Sequence, residues 1–240
     1  IQPVFCDAIQ DYEALEQRLD AVIGSAGSLF FNTLNKKRRE LSFIPSPDGA
    51  FRRRNVKGYF THTYADPLSP VRVSPCSGKA DWFTVSPQDN GLTVNTPLYE
   101  IHFQTDGSIS SLYDKSLNRE WVKGGFNKLH LYQDTPGMYD AWDILPNYID
   151  VEYSFTVEYP LHLQNADGET AEFACILSTP GKKSSWAVMV RLFLSSPVIE
   201  VEHIVDWNEK HRLAKAEFSC NVLSRELVCD TSAGYIKRET

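Results

Sequence analysis

The sequence has little of what a metal-built or cross-linked domain requires. Its five cysteines, at positions 6, 76, 175, 220 and 229, are odd in number, scattered and never in CxxC spacing. This excludes a dense disulfide framework and a structural zinc knuckle, and it fits free thiols in a reducing, cytoplasmic setting. The six histidines never fall in HxH, HxxxH or HExxH spacing, so no local metal motif exists. There is no GxSxG elbow and no glycine-rich phosphate loop. Positive charge is in deficit: 24 Lys and Arg against 31 Asp and Glu leave a net charge of -7, which argues against nucleic acid as a partner. The one basic run, Lys36 to Arg39, reads as a solvated turn. No apolar run approaches the roughly 20 residues that cross a bilayer, so no membrane partner is expected.

What is present suits a globular protein. Hydrophobic residues at 42% and charged residues at 23% are ordinary for a folded domain, and 240 residues suffice for one large or two modest ones. The chain opens at Ile1 rather than Met, which reads as a piece of a longer protein.

The spacing predicts one helix, over 8–23. Asp7 is placed to cap it, with Gln10 three residues on, and Ala8, Tyr12, Leu15, Leu19 and Val22 form a single apolar stripe that ends at Gly24. After Gly24 the period becomes two. Leu29 and Phe31, then Leu41 and Phe43, flank a polar turn and predict a hairpin, and prolines at 45, 47, 67, 70, 75 and 87 punctuate short strands. Tyr99, Ile101 and Phe103 lead into an Asp106-Gly107 turn, with Ile109, Ser111 and Tyr113 returning. Val151, Tyr153, Phe155, Val157 and Tyr159 predict one half-buried strand five repeats long. The run 186–194 is apolar on both faces apart from Arg191, which predicts a central strand, and 199–207 returns from it through Ser195-Ser196-Pro197. His102 and His203 fall within alternating strands and read as structural. The fold class is all-β: packed antiparallel sheets with one N-terminal helix.

One segment stands out chemically. Residues 134–144 hold Asp134, Tyr139, Asp140, Trp142 and Asp143 between strand patterns. Aromatic faces stack on sugar rings and carboxylates accept from hydroxyls, so the mixture suits a carbohydrate contact on a rigid scaffold. The same residues also fit a purely structural loop in which Trp142 plugs the sandwich while Asp140 and Asp143 cap turns. Retaining and inverting glycosidases need two carboxylates facing each other across a sugar, and spacing alone reveals no such pair.

Five collinear stretches resemble the C-terminal β region of family 38 glycoside hydrolases, the α-mannosidases, in their bacterial and cytosolic branch. They are FFNTLNKKRRELSF (30–43), LYEIHFQTDGSISSLYDKSLNREW (98–121), NKLHLYQDTPGMYDAWDI (127–144), HRLAKAEF (211–218) and GYIKRET (234–240). The resemblance implies 1–24 as the last helix of a helical bundle, 25–87 as a small β-sandwich domain, and 88–240 as most of a large super-sandwich of the galactose-mutarotase type. It implies a retaining enzyme that removes terminal α-mannosyl residues with an Asp nucleophile, an Asp acid/base and a zinc ion. All of these belong to a catalytic domain upstream of Ile1, so no catalytic residue, metal ligand or cofactor is carried onto this stretch. The partners implied are that catalytic domain and an α-mannoside substrate. A Tyr following Gly-x reaches the sugar in the family. Gly137-Met138-Tyr139 matches, which makes Tyr139 the candidate substrate contact with Asp140, Trp142 and Asp143 beside it. Glu239 stands where the family motif usually has Pro, and Ala214 where Leu is usual, which bears on subfamily and substrate preference. Two other readings compete: an autonomous carbohydrate-binding module using the same loop, and an aldose-epimerase-like enzyme on a related fold, which would need an acid–base pair across the sugar ring.

Overall fold

The computed structural model describes residue 14 and residues 29–31, 36–67, 70–73, 76, 78–138 and 142–239, and its regular structure is antiparallel β almost throughout. The helix expected over 8–23 lies outside the described residues except for Ala14, which is helical. No helix among the described residues is long and apolar enough to cross a membrane. Two compact units emerge: residues 1–80 with 165–170, and residues 81–164 with 171–240.

The first unit contains β1 (Leu29–Phe31), β2 (Arg38–Pro45), β3 (Phe51–Arg53), β4 (Val56–Ala65) and β5 (Pro70–Arg72). β4 lies between β2 and β3, and β1 pairs with β5. The hairpin expected between 29–31 and 41–43 therefore does not form. β2 instead runs its full length along β4, from Arg38 opposite Ala65 to Pro45 opposite Gly58. Alternation marks a strand without marking its partner, and β4 offers eight paired positions to β2. β3 turns into β4 through Arg54 and Asn55, both left-handed (φ 48° and 66°), the backbone of a two-residue hairpin turn matched to strand twist. Phe51 and Phe60 are buried edge to face beneath this turn, with Phe43 tilted against Phe60 at 5.0 Å.

The second unit is built from two sheets. The larger contains β6 (Thr84–Gln88), β7 (Gly91–Asn95), β8 (Tyr99–Gln104), β9 (Ile109–Asp114), β10 (Arg119–Glu120), β11 (Val122–Gln133) and β12 (Glu152–Tyr153). The smaller contains β13 (Thr156–Ala166), β14 (Thr170–Ser178), β15 (Ser185–Phe193) and β16 (Glu200–Asp206) in sequential order. β17 (Arg212–Cys220) returns to the larger sheet beside β11, and β18 (Glu226–Thr231) and β19 (Gly234–Glu239) form a separate hairpin. Pro87 sits on β6, the outer strand of its sheet, where a missing amide hydrogen breaks no ladder.

The two sheets meet through apolar side chains, of which Ile101 and Phe103 are read from the alternation and those of β15 from its apolar run. Ile101 and Phe103 of β8 and Leu131 of β11 are buried, as are Phe173, Cys175 and Leu177 of β14 and Val188, Val190 and Leu192 of β15. Phe103 stacks on Phe173 at 5.7 Å, and Phe83 meets Phe173 edge-on at 6.3 Å. The Asp106-Gly107 turn forms as expected. Asp106 accepts from the amide and hydroxyl of Ser108, and Gly107 has φ +82° with Cys175 Sγ 2.9 Å from where a Cβ would stand. Glycine is required there on both counts. Burial in turn pushes the Cys175 thiol up to about 12, so it is inert.

The five-repeat strand expected from 151 to 159 is instead two strands in different sheets. Glu152–Tyr153 pairs with β11, while Thr156–Ala166 begins the smaller sheet. The chain crosses between sheets at Ser154 and Phe155, and Phe155 packs edge-on against Trp186 at 5.7 Å. A bend at a sandwich corner keeps side-chain alternation while changing the partner, so the pattern conceals it. Val157 and Tyr159 are exposed rather than half-buried.

β15 is central, as its composition implies, and its one charge is buried with partners. Arg191 is fully enclosed and donates to Glu172 at 2.6 Å, Glu200 at 2.7 Å and Glu202 at 2.8 Å. β16 supplies two of these carboxylates because Arg191 pairs with Glu200 and Met189 with Glu202 in the ladder. His203, also on β16, accepts from the Trp186 indole at 2.7 Å, and burial lowers its basicity, so the neutral ring fits. That agrees with its structural reading.

Candidate functional site

β11 leaves the larger sheet at Gln133 and the chain returns to it at β12, so the segment between is an excursion from two adjacent strands. Its neck is fastened by backbone bonds, Gln133 N–H to Val151 O at 2.9 Å and Asp134 N–H to His211 O at 3.0 Å. The returning limb is a 3-10 turn, Pro146–Asp150, which Pro146 can open because its missing amide is unneeded there.

The sequence-derived candidates lie on this excursion. Tyr139 and Asp140 fall outside the described residues. Asp143 is exposed and its carboxylate accepts from the amide of Ile144 at 2.9 Å. Trp142 is 91% exposed, which overturns the plug reading: its ring fills no part of the sandwich in this chain and is open for stacking. Trp142→Ala is accordingly expected to change stability by no more than about 0.5 kcal/mol in a thermal melt. A loss of several kcal/mol would restore the plug.

Beneath the neck lies a group of residues that the sequence did not single out. On one face of β11, His130 points Nδ1 at Glu152 of β12 (2.7 Å) and Nε2 at Glu217 of β17 (2.8 Å). The hydroxyl of Ser219 and then His130 hold the Glu217 carboxyl below its usual value. Tyr132 stacks parallel on His130 at 5.7 Å, and burial followed by the nearby Glu152 raises its phenol above the usual value, so it stays protonated. Tyr148, on the 3-10 turn, meets Tyr132 edge-on at 5.2 Å. Lys215 lies 4.4 Å over the Tyr148 ring and donates to its hydroxyl. Arg212 covers Tyr153 at 4.0 Å, and the Tyr153 hydroxyl donates to Gln133. The signal was out of reach of motif spacing, because His130 meets its glutamates across separations of 22 and 87 residues.

A cavity of about 160 Å³ opens at the neck, with Gln133, Asp134, Thr135, Asn147, Tyr148 and Asp150 on its walls and Leu145 and Val151 beside them. The arrangement offers hydroxyl-binding oxygens, an amide and a fixed aromatic ring. Among the described residues no three His, Cys, Asp or Glu side chains converge as metal ligands, so these residues do not fit a zinc site.

Comparison with known proteins places this architecture. The family model for the glycosyl hydrolases family 38 C-terminal domain matches residues 94–240, which include the whole excursion and all of β7 to β19 except the first three residues of β7. The chain belongs to glycosyl hydrolase family 38. Among curated relatives in the family, Alpha-mannosidase 2C1 of Homo sapiens is 25% identical over 219 residues, covering 90% of this chain and 21% of that protein. The Mus musculus protein of the same name is 24% identical and covers 100% and 24%. Alpha-mannosidase G of Dictyostelium discoideum is 26% identical over 162 residues, covering 62% and 14%. The chain thus spans less than a quarter of the length of these family 38 relatives. Among solved structures, an alpha-mannosidase from Enterococcus faecalis V583 aligns with a TM-score of 0.48 and 11% identity, covering 88% of this chain and 28% of that one.

Proposed function

We propose that this chain is the non-catalytic C-terminal β region of a retaining α-mannosidase that removes terminal α-mannosyl residues, and that the excursion 134–145 shapes the sugar-binding site. The observation that carries this reading is the family 38 match over 94–240, with relatives named as α-mannosidases. The anchored neck adds support. A contact that reaches towards a substrate must be held by packed strands, and two backbone bonds fasten this loop to three strands of one sheet. The nucleophile, the acid/base and the zinc ion belong to the catalytic domain, which would be the principal partner of this region, and no step of the reaction is assigned to residues here. The substrate contacts proposed are Tyr139, with Asp140, Trp142 and Asp143 beside it.

The test is Tyr139→Phe in the complete enzyme. Loss of one hydrogen bond to a sugar hydroxyl is worth about 0.5 to 1.5 kcal/mol, rising if a partner is left unsatisfied. A fall of about 3- to 30-fold in kcat/KM on α-mannosides is expected, with the melting temperature unchanged. Full efficiency on every mannoside tried would remove Tyr139 from the site.

A further inference from the structure

We propose that the cavity at the neck, between Tyr148 and the two carboxylates Asp134 and Asp150, is a separate subsite for one neutral hexopyranose unit. The inference rests on the mannosidase reading only for the choice of sugar.

Size is the first argument. A protein cavity of about 150 Å³ encloses a six-atom ring such as benzene, and this one, at about 160 Å³, takes the ring of a hexopyranose while its outer hydroxyls stay at the mouth. Chemistry is the second. Benzene-sized cavities lined only by aliphatic residues stay dry, whereas this one presents two carboxylates, the Asn147 amide, the Thr135 hydroxyl and the Gln133 amide. The side chains of Asp134, Asn147 and Asp150 have no hydrogen-bond partner among the described residues. Asn147 and Asp150 are exposed and Asp134 is half-buried, so a ligand's hydroxyls would take the place of solvent at these groups. Among the described residues that line the cavity there is no Lys or Arg, so it holds no cation to favour an anion. Leu145, Val151 and the Tyr148 ring supply the apolar surface that the C–H face of a pyranose requires.

Preorganisation is the third argument. The Tyr148 ring is held by Lys215 over it and by the edge-on contact with Tyr132. Tyr132 in turn rests on His130, which two glutamates from different strands hold in place. An aromatic wall fixed by such a chain loses little freedom when a sugar stacks on it, and that saving is what makes a shallow saccharide site bind at all.

The experiment is a titration of the 240-residue chain with methyl α-D-mannopyranoside, followed by amide chemical shifts. Saturable binding with a dissociation constant on the order of 1–10 mM is expected. Tyr148→Ala should weaken it at least tenfold and Asp150→Asn about three- to tenfold. Asp150→Asn is isosteric at an exposed position, so it keeps the test valid if Tyr148→Ala disturbs the turn. No saturable binding, or binding that survives both cavity substitutions, overturns the proposal. Binding lost with Tyr139→Phe but kept in the two cavity variants also overturns it, and leaves the mannosidase reading intact. Tighter binding of methylammonium than of the mannoside at these residues would make the cavity a cation site and overturn the neutral ligand. If the cavity variants lose binding while Tyr139→Phe has no effect on kcat/KM in the complete enzyme, the subsite stands and the Tyr139 contact falls.

Discussion

Arg191→Ala is expected to lower the stability of the second unit by about 3–5 kcal/mol, because it leaves buried carboxylates without their cation. Glu172 is the most exposed to this loss: its side chain is 4% accessible and Arg191 is its partner at 2.6 Å. For a chain of this length that corresponds to a fall in Tm of about 6 to 20 °C. The loss has a signature in pH. Burial already raises the Glu172 carboxyl above its ordinary value, and Arg191 opposes that rise. Without Arg191 the value goes higher still. Between the unfolded value near 4.3 and the raised folded one, the folded protein binds a proton that the unfolded chain lacks, so stability increases as pH falls through that window. The defect measured near pH 8 should therefore shrink towards about pH 5. A defect equal at every pH, or smaller than about 1 kcal/mol throughout, would show that the cluster is solvated and that Arg191 is not its keystone.

The second large effect is expected at the aromatic contact between the sheets. Phe173→Ala removes a fully buried ring that stacks on Phe103 and meets Phe83 edge-on, and it should cost about 3–5 kcal/mol in transfer and cavity terms together. Phe103→Ala alone should cost a similar amount. The double variant should lose less than the two added, by about 0.5–1.5 kcal/mol, because the ring pair is counted in both. Strict additivity in chemical denaturation would mean that the two rings do not support each other across the sheets.

Particular residues show what could be read from the sequence. Tyr99 to Tyr113 was legible because alternation, a DG turn and the return strand are all local, and β8 and β9 form as read. β15 was legible as a central strand from its two apolar faces, and Arg191 was visible as its exception. Its three glutamates were not, since Glu172 lies on another strand and the β16 register decides which acids face it. The 151–159 run misled because polar–apolar alternation continues through the crossing at Ser154 and Phe155. Partner choice misled at β1 and β2: β1 pairs with β5, some 40 residues along the chain, and β2 with β4. At the candidate site the loop was legible by composition, as a dense set of acids and aromatics. Its support was not, because His130, Glu152 and Glu217 are brought together only by the pairing of β11 with β12 and β17.

That pairing sets a clock. His130 and Glu217 are 87 residues apart in the chain. At ribosomal rates of about 5–20 residues per second, β17 emerges roughly 4 to 17 s after β11. Local hairpins form in microseconds, so the early strands of the larger sheet have ample time to assemble while one edge of β11 waits for its neighbour. During that wait His130 has at most one of its two glutamates, and Tyr148 lacks the lysine that lies over its ring. The wall of the cavity is thus among the last parts of this unit to be completed during synthesis. A stall or slow codon run between 134 and 211 lengthens the life of a species whose sheet is largely built and whose cavity wall at the neck is not.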